Sequence, residues 1–422
     1  MQMAHIFTSK TTIMNKKSYF FVALVAASIF TIYFYFCYEN FNIQSIVFNE
    51  YISKDVLVRA KKYREQNIKT ILLWNSLFSD KNFYFGDLST AFRNCPVDKC
   101  EIVNDRDYLH VADYDAILFH GNSLERNDMP RNRSAKQFYV YVNLESPSNR
   151  PYDYYEDYFN LTMTYRQDSD IPWTYFIIED AQSGKFVAPS KNPDWKVPRN
   201  TIFAGVEEAV NEVPEISNVV RSKSKLVTWF VSNCQAKSGR LEYVEELSKH
   251  IGVDIYGKCG TSNCDREQKC FSDVVEPNYF FYLSFENSFC DDYVTEKVMN
   301  PLRYNIVPVV YGGANYSQFI PPNSYVNALD FDSPKELATY LKYLSRDLSR
   351  YQSFLQWKKY YRVNGGTKRA VCTLCEVLHK QKEPKMYLTL SDWYEKEKCP
   401  IQTLLQRTND RYATKRTLTN RN

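Results

Sequence analysis

The sequence predicts an α/β protein with two domains facing a cleft, preceded by a single N-terminal membrane helix. Three observations predict it: short continuous apolar runs of strand character, amphipathic helical patterns between them, and an uncharged N-terminal stretch. Continuous apolar strands alternating with amphipathic helices imply parallel sheets covered on both faces. The runs fall into two sets, and 422 residues leave room for two such domains besides an anchor and a tail.

Residues 18–37, "SYFFVALVAASIFTIYFYFC", are twenty positions without a charge. At about 1.5 Å rise per residue they span roughly 30 Å of hydrocarbon. Lys10, Lys16 and Lys17 precede the stretch and Glu39 follows it, which places residues 1–17 in the cytoplasm. A cleaved signal peptide is the rival reading. Its apolar core would run about 7–15 residues and end at a small-residue cleavage site, which is missing after Phe36. Residues 38–66 are polar, show no clear period and read as a stem, so the rest of the chain is expected in the secretory lumen.

The first domain, 67–220, contains "TILLW" (70–74), "AILFH" (116–120) and "FYVYVNLE" (138–145). After a charged linker, "RSKSK" (221–225), the second domain (225–360) carries "LVTWFVSN" (226–233), "VDIYG" (253–257), "YFFYLSFEN" (279–287) and "IVPVVYGG" (306–313). In "GRLEYVEELSKHIG", Leu241, Val244, Leu247 and Ile251 share one helical face. In "SPKELATYLKYLSRD", Ser333, Pro334 and Glu336 make a capping-box start. Residues 361–403 are expected to pack back on the first domain, and the polar, basic stretch 404–422 to be a disordered tail.

The cysteines suit an oxidising lumen. Of eleven, Cys37 sits at the membrane edge, leaving an even number. Cys95, Cys100, Cys259, Cys264, Cys372 and Cys375 are the disulfide candidates, with the pairing open; Cys372-x-x-Cys375 reads as structural rather than redox-active. A zinc site is disfavoured because His379 has no second histidine nearby, so no metal ligands are expected. Asn132, Asn160 and Asn315 stand in glycosylation sequons.

Several function classes are excluded. A net charge of +4 without a sustained basic patch disfavours nucleic acid. No Gly-x-Gly, Gly-Lys-Ser/Thr or Gly-x-Ser-x-Gly motif occurs, and the five histidines are scattered singly. What remains is a set of polar strand ends, where open α/β sheets bind ligands. Ser232 and Asn233 end one run, Glu286 and Asn287 another, and Glu145 a third; Arg240 opens a helix behind the first. A helix expected to open at "DYVTEK" (292–297) would offer its N-terminus and Lys297 to a phosphate, and Glu296 to sugar hydroxyls.

The stretch "FYLSFENSFCDDYVTEKVMNPLRYNIVPVVYGGANYSQFIPPNSYVNALDF" (281–331) resembles the signature region of the α1,3-fucosyltransferases, glycosyltransferase family 10. "WFVSNC…GRLEYVEEL…VDIYGKCG" (229–260), "NLESP" (143–147) and "FNLTMTYRQDSDIPWTYF" (159–176) resemble further landmarks, so the similarity covers roughly residues 70–400. The resemblance implies a GT-B fold of two Rossmann-like domains and inverting transfer of L-fucose from GDP-fucose. The implied acceptor is O3 of N-acetylglucosamine in glycoprotein N-glycans, core or Lewis-type antenna. By the same resemblance Glu145 is the general base, and Arg240 and Lys297 neutralise the leaving diphosphate. Tyr293, Glu296, Glu286 and Asn287 line the donor pocket, with Asn233 and Tyr256 nearby. No tightly bound cofactor is implied, and manganese enters at most as a stimulant. The implied location is the Golgi membrane, single-pass type II, with homodimerisation left open.

Two alternatives stand beside this reading. One is a metal-dependent Golgi glycosyltransferase using one of four Asp-x-Asp triplets: Asp105/Asp107, Asp113/Asp115, Asp168/Asp170 or Asp330/Asp332. The other is a catalytically silent lumenal protein that binds nucleotide sugar or glycan.

Overall fold

The computed structural model describes residues 28–35, 38, 54–149, 157–196, 214–264, 269–381, 389–394 and 399. The chain divides into two units, Met1–Gln66 and Asn67–Asn422. In the first, residues 28–35 are helical, as are residues 54–65 (α1), where the sequence showed no clear period. An i,i+4 pair between Asp55 and Arg59 supports α1. Among the described residues no helix is long and apolar enough to cross a membrane. Most of the expected anchor at 18–37, the cytoplasmic segment 1–17 and the tail 404–422 lie outside the described residues.

In the second unit, β1 (Lys69–Leu73), β2 (Cys100–Val103), β3 (Ala116–His120), β4 (Phe138–Asn143) and β5 (Leu161–Thr164) form one sheet in the order β2-β1-β3-β4-β5. Every neighbouring pair is parallel. All residues of β3, β4 and β5 are buried, as continuous apolar runs require of a sheet covered on both faces. Next come β6 (Phe176–Asp180), β7 (Phe186–Ala188) and α2 (Pro214–Ser222).

A second parallel sheet follows, from β8 (Lys225–Phe230), β9 (Val253–Tyr256), β10 (Tyr279–Phe285), β11 (Val307–Tyr311) and β12 (Val326–Asn327). Its order, β12-β11-β10-β8-β9, repeats that of the first sheet read from the other edge. The helices threaded through it are α3 (Arg240–Ser248), α4 (Glu276–Asn278), α5 (Glu296–Leu302), α6 (Pro334–Arg346) and α7 (Leu348–Ser353). Val244 and Leu247 of α3 and Leu337, Leu341 and Leu344 of α6 pack with Val227, Trp229, Phe281 and Val309 in one core. Ser333 caps α6 by accepting from the Glu336 N–H, with Pro334 in the first turn. The return bond of the capping box is displaced by one residue, since Glu336 accepts from the Asp332 N–H.

A third sheet has no counterpart among the apolar runs singled out in the sequence. β13 (Tyr361–Gly365) returns from the second half to pair antiparallel with β6, which pairs antiparallel with β7. Phe176 and Ile178 of β6 pack with Val298 and Leu302 of α5 and with Trp357, so this sheet fastens the halves together. α8 (Thr367–Lys380) then buries Ala370, Val371, Leu374 and Leu378 against Ile71, Leu73 and Leu118 of the first sheet, and α9 (Leu390–Tyr394) follows.

Five disulfides, Cys95–Cys372, Cys100–Cys375, Cys234–Cys259, Cys264–Cys270 and Cys290–Cys399, include all six candidates. Cys372 and Cys375, three apart on α8, share one helix face and each crosses to the first half. The Cys100, Cys375 and His379 ligand atoms lie together. Both sulfurs are consumed in the bridge, and His379 Nε2 lies 2.9 Å from the Lys99 carbonyl oxygen.

The charged linker 221–225 is short and exposed at four of its five positions, with Lys223 the exception. α2 ends at Ser222, β8 begins at Lys225, and Lys223 between them is buried, its ammonium donating to the Glu276 carbonyl. Burial pulls Lys223 down to about 7 and Lys358 to about 8, against roughly 10.4 in an unfolded chain. Across that window the unfolded chain binds more protons than the folded one, so these lysines make stability rise with pH from about 7 to about 10. Lys223→Met is expected to flatten that rise. Urea unfolding at pH 7, 8.5 and 10 measures it, and an unaltered slope refutes the assignment.

Candidate active site

In a sheet of this order the connections leave opposite faces between β8 and β10, opening a crevice at their carboxyl ends. Arg240, the first residue of α3, spans that crevice. Its Nη1 donates to the Phe285 carbonyl at 2.8 Å and its Nη2 to the Asn233 carbonyl at 3.0 Å. Gly239 before it takes a left-handed φ of 67°, which a side chain disfavours. The guanidinium is buried, which lowers its pKa, and among the described residues its Nε has no hydrogen-bond partner.

Beyond β10, Glu286 is fully buried. One carboxylate oxygen accepts from the Thr295 N–H at 2.8 Å, and both accept from the Thr295 hydroxyl at 2.9 Å. Lys297 Nζ lies 3.4 Å from Glu286 and 2.9 Å from Glu296. Burial raises the Glu286 pKa, although Lys297 and Thr295 act against the rise. Burial also works against the Lys297 ammonium, yet the two carboxylates hold it above its ordinary value. Lys297 is therefore a preorganised cation at the strand ends. Glu286, fully buried, braces it from below, whereas the family resemblance implied a place lining the donor pocket.

The helix expected from Asp292 begins at Glu296 instead, with Thr295 as N-cap. Asp292 has a φ of 59°, outside helical geometry, and its carboxylate accepts from Gln167 N at 3.1 Å and Nε2 at 3.0 Å. α5 is only seven residues long with Pro301 inside it, so the cation and its carboxylates outweigh any dipole in this site's electrostatics. Gly313 lets the loop settle on β11, since a Cβ there would lie 2.8 Å from the Phe289 backbone.

The first half faces this loop across the crevice. Ser146 and Ser148 hydroxyls each lie 2.7 Å from the Ser288 hydroxyl, and Lys237 Nζ donates to the Ser148 carbonyl at 2.7 Å. Glu145 stands beside them, two residues past β4. Its N–H donates to Asn143 Oδ1 at 3.0 Å, and its carboxylate accepts from the Tyr293 hydroxyl at 3.2 Å. Burial, with Tyr175 and Glu145 adding to it, raises the Tyr293 phenol well above its ordinary pKa, so it stays a donor. The Tyr175 hydroxyl donates to the Leu144 carbonyl at 2.9 Å. A carboxylate from one half thus meets a cation-bearing loop from the other.

The structure brings together Glu145, Tyr293, Glu286, Glu296, Lys297 and Arg240. Asn287 adjoins them, its Oδ1 accepting from the Ser288 hydroxyl. Asn233 joins through its carbonyl, while its side chain caps Gln235 N at 3.2 Å. Tyr256 does not join through its hydroxyl. It lies 3.0 Å from the Tyr279 hydroxyl at the start of β10, in a network with Asp254 and Lys225. Its ring is drawn there by the aromatic cluster of Phe230 and Tyr279. Asn132 and Asn315 are exposed. Asn160 is buried, and its Oδ1 accepts from the Tyr139 N–H at 2.8 Å and from Arg133, so the folded chain withholds this sequon. Sequence reasoning missed Tyr175, Gln167, Ser288 and Gly313, whose roles are contacts between distant segments; the double glycine after β11 was the one local signal.

Doubly wound parallel sheets, with a cation and carboxylates gathered at the strand ends of a crevice, define a transferase-type site for an anionic donor. The comparisons make the class specific. Residues 220–393 match "Glycosyltransferase family 10 (fucosyltransferase) C-term" and residues 66–176 match "Fucosyltransferase, N-terminal". The chain is 36% identical over 356 residues to Alpha-(1,3)-fucosyltransferase C of Drosophila melanogaster, covering 81% of each. It is 29% identical to Alpha-(1,3)-fucosyltransferase fut-1 of Caenorhabditis elegans, covering 86% of this chain and 77% of the relative. A crystal structure of an α1,3-fucosyltransferase is similar at a TM-score of 0.46 and 16% identity, covering 76% of this chain and 91% of that one. The chain belongs to glycosyltransferase family 10, the fucosyltransferases.

Proposed function

We propose that this enzyme is an inverting α1,3-fucosyltransferase that moves L-fucose from GDP-fucose to O3 of N-acetylglucosamine in glycoprotein N-glycans. Relatives named for α1,3-fucosyl transfer support the reaction class. The observation that carries the mechanism is the Tyr293 bond to Glu145, which joins a carboxylate of one half to the cation-bearing loop of the other. An inverting displacement needs a base on the face opposite the leaving group. In this reading Glu145 takes the proton from the acceptor hydroxyl as its oxygen attacks the fucose anomeric carbon and the bond to GDP breaks. Lys297 and Arg240 stabilise the charge that accumulates on the departing diphosphate. Glu296, half-exposed and held below its ordinary pKa by Lys297 against the effect of burial, is placed to accept from donor hydroxyls as a carboxylate.

In the Asp-x-Asp alternative each triplet has at least one carboxylate engaged, Asp105 accepting from the Asp107 N–H at 3.0 Å. Asp115 accepts from Lys69 at 2.8 Å, Asp170 from Thr162 N at 2.9 Å and Asp330 from Asn327 at 3.0 Å, while Asp168 pairs with Arg166. We place the catalytic body in the Golgi lumen behind a type II anchor at 18–37, on the uncharged stretch and the cysteine content. The testing experiment is transfer from GDP-fucose by the full chain to a panel of core and antennary N-acetylglucosamine acceptors, with and without EDTA. Transfer surviving EDTA is expected. Activity abolished by EDTA and restored by manganese favours the metal-dependent alternative, and nucleotide-sugar binding without turnover the silent one.

A further inference from the structure

We infer that α9 and Cys399 form a strap that seats Glu145, with Tyr394 as a positioning residue for the reaction; this rests on reading Glu145 as the base. The Tyr394 hydroxyl donates to the Glu145 main-chain carbonyl from 249 residues further along the chain. Glu145 lies outside any strand or helix, so no ladder fixes it. Its geometry is set by three bonds from three places: Asn143 holds its N–H, Tyr394 its carbonyl and Tyr293 its carboxylate.

The strap has a built seat. Tyr394 is fully buried, its ring 5.6 Å from that of Tyr141 on β4 and 6.3 Å from that of Tyr165. Tyr165 in turn packs edge-on against Tyr293 at 5.0 Å, so the two tyrosines that hold Glu145 share a neighbour. Buried Arg166 donates to the Trp393 carbonyl and stacks 4.1 Å from the Trp393 ring, while Asp168 holds the guanidinium. The Cys399–Cys290 bridge closes the arrangement, because Cys290 belongs to the loop that carries Tyr293 and leads into α5 with Lys297. Tyr394 is thereby tied to the base, and Cys399, five residues on, to the segment that carries Tyr293. Displacement of a reacting group by about 1 Å costs on the order of 10²-fold in rate, which gives this segment a catalytic consequence without contact to substrate.

Tyr394→Phe in the full chain removes one hydroxyl and keeps the ring. It is expected to lower kcat about tenfold, a fraction of that displacement cost, with KM for GDP-fucose and Tm unchanged. Introduced into Glu145→Gln, the same change is expected to cost nothing further in residual turnover, because the group being positioned is gone. Unimpaired kcat, or an equal loss in both backgrounds, overturns the inference. Glu145→Gln turning over like the wild type overturns the base reading instead, and the strap's role with it. Should Tyr394→Phe lower Tm, Cys399→Ser carries the test: kcat falls with donor KM unchanged, and full turnover refutes the strap.

Discussion

Glu145→Gln is expected to lower kcat for fucosyl transfer by about 10²–10⁴-fold, the usual contribution of a general base, while GDP binds as before. The substitution preserves shape, and the amide oxygen still accepts from Tyr293. The Asn143 and Tyr394 bonds go to the main chain and are untouched. Lys297 and Arg240, the groups proposed to stabilise the diphosphate, come from the other half, so donor affinity is expected to stay. Titration of GDP by calorimetry beside a transfer assay measures both quantities. Wild-type turnover by the variant refutes the base; loss of GDP binding shows a disturbed cleft instead.

Lys297→Ala is expected to reduce kcat/KM for GDP-fucose by about 10²–10³-fold, the cost of removing one preorganised charge-stabilising group. It carries a stability cost as well. Glu286 is fully buried, and without Lys297 its carboxylate keeps, among the described residues, Thr295 as its hydrogen-bond partner. Removing one member of a buried pair costs about 3–5 kcal/mol when the other stays charged; protonation of Glu286, whose pKa is already raised, limits the loss near neutral pH. Adding Glu286→Gln to Lys297→Ala is expected to recover Tm without recovering activity. That separates the two consequences, and unchanged donor affinity in Lys297→Ala refutes the role given to the cation.

Seven strands were legible as short apolar runs bounded by polar residues, whereas β2, β5 and β12 and the sheet of β6, β7 and β13 were not. Every run singled out in the sequence contains a strand, with ends shifted by a few residues where polar side chains begin. α6 was legible from Ser333, Pro334 and Glu336, which act through bonds within one turn. The start of α5 was not, because Asp292 resembles a first-turn acid until Gln167 takes its carboxylate. Within "RSKSK" no local pattern reveals that α4 supplies a carbonyl to a buried Lys223.

For the site, the sequence alone determined the chemical groups and their places at strand ends, through the spacing of "FEN", "YVTEK" and "NLESP" and the family resemblance they carry. Tertiary structure alone decided which groups stand on the wall and which beneath it. Burial of Glu286, withdrawal of the Tyr256 hydroxyl to Tyr279, and the reach of Tyr394 and Cys399 to the segments around Glu145 and Cys290 all join residues far apart in the chain. Periodicity and capping are written within a few residues of one another and can be read there. Contacts spanning hundreds of residues depend on how two sheets are brought together, and that exists only once the chain has folded.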